Sequence, residues 1–92
     1  QMVERDFAFL FPKEIKANEI IKKVKKINRD LIQKVTIFDL YEGDKLPDNK
    51  KSIAFRVLMQ PKDKTFSDQE IDNLSKEIID LISSSFEASI RN

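Results

Sequence analysis

The hydrophobic period of this chain switches repeatedly between alternation and a helical repeat, and that switching restricts the fold more than any other feature. In VERDFAFLF, from Val3 to Phe11, the aromatic Phe7, Phe9 and Phe11 alternate with Asp6, Ala8 and Leu10 up to Pro12. This is the pattern of a strand with one buried face. Ile20, Val24, Ile27 and Leu31 then recur at helical spacing, with Lys22, Lys23, Lys25, Lys26 and Arg29 on the remaining faces. The spacing predicts an amphipathic helix, with Asn18 as its cap. VTIFDLYE, from Val35 to Glu42, returns to alternation and ends at Gly43, the one glycine of the chain. After the loop-like GDKLPDN, Lys50 to Gln60 alternates again before Pro61, so these two strands are expected to form a hairpin with a long connection. SDQE, Ser67 to Glu70, has capping-box spacing, and Ile71, Leu74, Ile78, Leu81 and Ile82 make a second helical stripe, expected to fray across Ser83 to Ser85. FEASIR, Phe86 to Arg91, alternates and predicts a short fourth strand.

The order βαββαβ is met most economically by an α+β, ferredoxin-like open-faced sandwich: a four-stranded antiparallel sheet, strand one beside strand three, with two helices on one face. The expected core joins Phe7, Phe9, Phe38 and Phe55 from the sheet to Val24 and Ile78 from the helices. A chain of 92 residues is one domain, residues 1–92, that buries roughly 60–65% of its unfolded surface and has little core left to line a deep pocket. Gln1 in place of Met is expected of a fragment of a longer chain.

The residue inventory removes whole classes of chemistry. With neither Cys nor His, thiolate and imidazole catalysis and thiol-based metal binding are excluded. Asp39, Glu42, Asp44 and Asp48 lie close in sequence, but no base or nucleophile converges with them, and no glycine-rich loop could cradle phosphate. Neither a catalytic centre, a metal site nor a bound cofactor is expected in this piece. Nothing in it is apolar for long enough to span a bilayer, so a membrane is not an expected partner. The net charge of +1 hides an uneven distribution: residues 1–62 carry 14 Lys/Arg against 9 Asp/Glu, and residues 63–92 carry 3 against 7.

IFDLYEG, Ile37 to Gly43, places an acidic residue and a phenol two apart on a strand in which Asp is a poor former. Parity assigns Ile53, Phe55, Val57 and Met59 of the third strand to the core and leaves Ser52, Ala54, Arg56 and Leu58 outside. In the second strand, Phe38 and Leu40 are expected inside, and Ile37, Asp39 and Tyr41 outside. The bare face then carries a ring (Tyr41), an acceptor (Asp39), a hydroxyl (Ser52), a cation (Arg56) and a low floor (Ala8, Ala54). That set suits unstacked bases, which need a stacking surface, partners for their edges and cations for phosphate. An ordinary solvated face accounts for the same residues, with Arg56 paired to Asp39, Tyr41 covering aliphatic neighbours and Arg5 paired locally to Asp6.

RDFAF, FDLYEG, LPDNKKSIAFRV and TFSDQEI, in this order and over nearly the whole chain, resemble the ferredoxin-fold anticodon-binding domain (FDX-ACB) that ends the beta subunit of bacterial phenylalanyl-tRNA synthetase. The resemblance implies a cytoplasmic parent, an (αβ)2 ligase that joins phenylalanine to its tRNA with ATP and magnesium. In it, this domain grips the anticodon stem-loop, and the alpha subunit and the rest of the beta subunit are its other partners. Carried over by position, Asp39, Tyr41 and Ser52 look like the residues that hold the first anticodon base, with Tyr41 as the stacking ring and Ala8 as the small platform. Arg5, Lys51 and Arg56 stand within family motifs, and Arg91 lies near a terminal Arg contact. The glycine common before the last strand is missing from SSSFEASIRN. The competing reading from another class is a small-ligand or protein-interaction module of the same sandwich, although such modules use glycine-rich loops and helix ends that this chain lacks. An RNA-recognition motif is nearer in fold, but Arg56 and Ala8 stand where its central aromatics belong.

Overall fold

Pairing of the first strand with the third builds the sheet. The computed structural model describes residues 2–62 and 67–91, with strands β1 (Val3–Pro12), β2 (Ile32–Tyr41), β3 (Lys50–Met59) and β4 (Ser89–Ile90) and helices α1 (Ala17–Ile27) and α2 (Ser67–Phe86). The strands lie in the order β2-β3-β1-β4, every neighbouring pair antiparallel. Register between β1 and β3 is unbroken from Val3↔Met59 to Pro12↔Lys50, so Phe7 and Phe9 meet Phe55 and Ile53 on one face. This is the βαββαβ sandwich expected from the order of periods.

The core is a ladder of rings. Phe7 and Phe9 stack on either side of Phe55, with centroids 5.4 and 5.9 Å away, Phe9 tilts against Phe11 at 5.8 Å, and Phe11 meets Phe86 of α2 edge-on at 6.0 Å. Val24 and Ile20 from α1 and Ile71, Leu74, Ile78 and Ile82 from α2 close over it and are buried. Each such side chain contributes roughly 1.5–3 kcal/mol from its apolar area.

Several local expectations are corrected. Lys16, not Asn18, precedes the first turn of α1, and Glu19 returns to it by accepting the Lys16 N–H at 2.8 Å. The helix stops at Ile27, so buried Leu31 belongs to the following turn, where the Asn28 side-chain oxygen accepts the N–H groups of Asp30 and Leu31 at 3.2 and 3.0 Å. That short side chain competes successfully with the helix for backbone donors. The capping role read for Ser67 falls on a side chain outside the described residues. Leu81 is only half-buried.

Phe38 and Leu40 are not core residues: they are 48% and 50% exposed, Phe38 against Arg56 on the helix-free face and Leu40, in register with buried Ile53, on the helix side near the end of the strand. Ile37, expected outside, packs against the core with Val35. The cause is a break in the β2–β3 register, where Ile37 pairs with Phe55 and Asp39 with Ala54, so that Phe38 is an extra residue. This is a β-bulge, which reverses the parity of everything after it.

The end of α2 differs too. It runs through Ser83 to Ser85, held there by Phe86 against Phe11, and then turns through Glu87, whose φ of 51° lies in the left-handed region. The Ala88 N–H bonds the Ser83 carbonyl at 3.1 Å, which closes a Schellman turn of the kind usually built on glycine. The fourth strand is accordingly only Ser89–Ile90. A left-handed non-glycine residue is strained, so Glu87→Gly is expected to stabilise the chain by about 0.5–1 kcal/mol, part of the relief being offset by the entropy of glycine in the unfolded chain. A urea melt of the two proteins checks this, and an unchanged or lowered midpoint contradicts the strain.

Candidate nucleic-acid interface

Register divides the helix-free face of the sheet into rows. One row runs Tyr41, Ser52, Leu10 and Ser89, the next Asp39, Ala54 and Ala8, and a third Thr36, Arg56 and Asp6. Arg91 extends the second row, because its N–H bonds the Ala8 carbonyl at 2.7 Å and carries the β1–β4 register one residue further. An acceptor at one end and a cation at the other therefore flank a floor of two alanines. The row beside it offers a ring and a hydroxyl.

Asp39 and Tyr41 reach this face through the bulge. Val35 and Ile37 point to the helices, so an unbroken strand would send Asp39 and Tyr41 the same way. The extra residue at Phe38 turns them outward. Tyr41 is 39% exposed, and its ring leans over Gly43, where a Cβ would stand 2.5 Å from the phenol oxygen and 2.8 Å from Cζ. The φ of Gly43 is not left-handed, so a larger residue there would meet only the tip of the Tyr41 ring, which would have to shift. Ser52 shares the face by register yet is only 4% exposed, low between Tyr41 and Leu10.

Arg56 does not pair with Asp39, nor Arg5 with Asp6. The Arg56 guanidinium donates from Nε to Asp6 Oδ1 at 2.8 Å and from Nη2 to Oδ2 at 3.0 Å, and it lies over the Phe38 ring with Cζ 4.8 Å from the centroid. This two-pronged geometry fixes the plane of the group. The hydrogen bonding, with the attraction of the cation added, holds the Asp6 carboxyl below its ordinary pKa, and Asp6 in turn raises that of Arg56. Arg5 donates instead to the Glu4 carbonyl at 3.0 Å.

Of the eight residues singled out from the sequence, Ala8, Asp39, Tyr41, Ser52, Arg56 and Arg91 come together on one face. Arg5 and Lys51 do not: they are in register with buried Val57 and Phe11, on the helix side. Phe38 is the surface residue that the sequence reading missed. A signal for it exists, since Val35 and Ile37 form one apolar alternation and Phe38 and Leu40 another, offset by one, and no straight strand can bury both. Charges on the bare face come close to balance, with Glu4, Asp6 and Asp39 against Lys34, Lys50, Arg56 and Arg91, while the lysines of α1 belong to the opposite layer. Among the described residues no acidic group converges into a metal-binding cluster, and no helix is long and apolar enough to cross a membrane.

A ferredoxin-like sandwich with one open, polar, floor-and-ring sheet face is the architecture of a binding module, and residues 1–91 match the family model described as the ferredoxin-fold anticodon binding domain, the family to which this chain belongs. It is 40% identical over 87 residues to the phenylalanine–tRNA ligase beta subunit of Rickettsia conorii, 38% over 90 residues to that of Bdellovibrio bacteriovorus and 43% over 79 residues to that of Nitrobacter winogradskyi. These alignments take in 95%, 98% and 86% of the chain. The chain spans only about a tenth of each relative, 11%, 11% and 10%.

The Asp6–Arg56 pair has a pH signature. Because the folded carboxyl titrates below its unfolded value, the stabilisation from the pair is complete above the ordinary carboxylate range and fades as pH falls through the lowered value. Both groups are exposed, so the effect on stability is small. In a carbon-detected NMR titration, Asp6 is expected to protonate at lower pH than in Arg56→Met, and coincident midpoints would show that the pair does not form in solution.

Proposed function

We propose that this chain binds the anticodon stem-loop of phenylalanine tRNA through its bare sheet face, as the C-terminal anticodon-binding domain of a phenylalanine–tRNA ligase beta subunit. The parent on this reading is a cytoplasmic (αβ)2 ligase in which the chain adjoins the alpha subunit and the rest of beta. It consumes ATP with magnesium at a centre outside these residues. The observation that carries the reading is the pair of adjacent rows, Asp39–Ala54–Ala8–Arg91 beside Tyr41–Ser52, on the one sheet face left open by the helices.

The chemistry follows from the rows. Two alanines let a flat base approach the sheet, and Tyr41 gives it a π-face. The two carboxyl oxygens of Asp39 serve as acceptors, so they favour a base edge with adjacent N–H donors, which among the four bases is that of guanine. Ser52, deep in the next row, supplies a hydroxyl once Tyr41 has swung onto the base. Arg91 at the opposite edge is placed to meet the backbone.

Two outcomes test this. Tyr41→Phe is expected to keep most affinity for the cognate stem-loop, whereas Tyr41→Ala loses roughly 1–3 kcal/mol, about 5- to 150-fold. Arg5→Ala and Lys51→Ala, on the helix side, are expected to change it less. A Tyr41→Ala protein that melts early and binds normally would assign the ring to stability alone. The second outcome concerns salt: a face whose cations barely outnumber its anions can neutralise only a few phosphates, each contributing a slope of roughly −0.7 in log affinity against log salt. Affinity that ignores ionic strength would exclude phosphate contact.

A further inference from the structure

We infer that Phe38 and the guanidinium of Arg56 form a second nucleobase platform, separate from the one at Tyr41; this deepens the RNA-binding reading above and rests on it. Phe38 is nearly half exposed on the same face and sits where the bulge ejects it from the ladder. Arg56 lies over its ring at 4.8 Å and is locked flat by two hydrogen bonds to Asp6. A guanidinium so held is not a free phosphate grip, because its charge is already answered by the carboxylate. It is a planar shelf backed by an aromatic ring, and bases stack on such planes as they do on aromatic rings.

Position makes this a second site. Arg56 is four residues along β3 from Ser52, the residue in register with Tyr41, a separation of roughly 13 Å at the rise of a strand. One base cannot lie on both. Two nucleotides of a splayed loop can, with the Asp39 row between them. The groups around the platform are varied: polar Glu4, Lys34 and Thr36 and apolar Leu58 line a shallow hollow with Phe38 and Arg56. They offer a hydroxyl, a cation and an acceptor to the edge of a base seated there.

The test uses the 92-residue chain and an RNA hairpin bearing the phenylalanine anticodon loop, beside a set of hairpins in which one loop nucleotide at a time is abasic. Affinities of Phe38→Ala, Phe38→Tyr, Arg56→Lys and Tyr41→Ala are measured by anisotropy, with melting curves to confirm folding. Phe38→Ala is expected to weaken the intact hairpin about 5- to 150-fold, Phe38→Tyr to restore it, and Arg56→Lys, which keeps the charge and loses the plane, to weaken it as well. The loss in Phe38→Ala should vanish against one abasic hairpin, and that nucleotide should differ from the one that cancels the loss in Tyr41→Ala. Loss that persists against every abasic hairpin, cancellation of both losses by one nucleotide, or full affinity in Arg56→Lys overturns the second platform. If Phe38→Ala binds normally while Tyr41→Ala is weakened, the platform at Tyr41 stands and the Phe38 ring serves a protein neighbour instead. If neither variant is weakened, the RNA-binding reading of the whole face fails.

Discussion

The surface of this sandwich depends on one extra residue in the β2–β3 ladder. A straight β2 has two ways to present itself. It can bury Val35 and Ile37, and then Asp39 and Tyr41 follow them inward, or it can bury Phe38 and Leu40, and then Thr36 goes in and Val35 and Ile37 are lost to water. An ionised carboxylate without a partner does not go into an apolar core, and burying Val35 together with part of Ile37 is worth roughly 2–4 kcal/mol. The bulge at Phe38 satisfies both halves: Val35 and Ile37 stay under the helices, and Asp39 and Tyr41 emerge on the open side. A second irregularity, between Ile32 and Lys34, bends the same strand nearer its start. Since β2 is an edge of the sheet, both breaks also make it a poor template for pairing with another chain.

Most of the architecture was legible because it is written in period. The unbroken alternation of Phe7, Phe9 and Phe11 against Ile53, Phe55, Val57 and Met59, and the stripes of α1 and α2, give the order, the sandwich and the core without any long-range information. The place where reading failed is the place where two periods overlap. In VTIFDLY the choice between odd and even residues is decided by hydrogen bonds to β3, which local alternation does not encode; alternation sends Phe38 inward where the structure turns it out, while Leu40 does face the helix side, in register with Ile53, but stays half exposed. Asp39 and Tyr41 were assigned to the correct face through the wrong parity, since the expected strand had no bulge and the real one does. At the other end, serines suggested fraying, but the packing of Phe86 on Phe11 extends α2 past them, and Glu87 takes a backbone position that composition would give to glycine.

Charge is divided between the two layers in a way that bears on what the domain contributes. The lysines of α1 project from the helix layer, while anions and cations on the open face nearly cancel, and Arg56 there is engaged by Asp6. A surface of this kind binds through shape, stacking and edge contacts more than through general attraction to polyanions.

The fit of Gly43 beneath Tyr41 gives the molecule an optical property. Tyr41 is the one tyrosine, and there is no tryptophan, so the ultraviolet emission beyond that of the weak phenylalanines comes from a single ring. That ring stands on the open face, with its hydroxyl beside Gly43. The protein thus carries its own fluorophore at the position of interest, and stacking of any planar ligand on it is registered as quenching, without a dye and without altering the surface being measured.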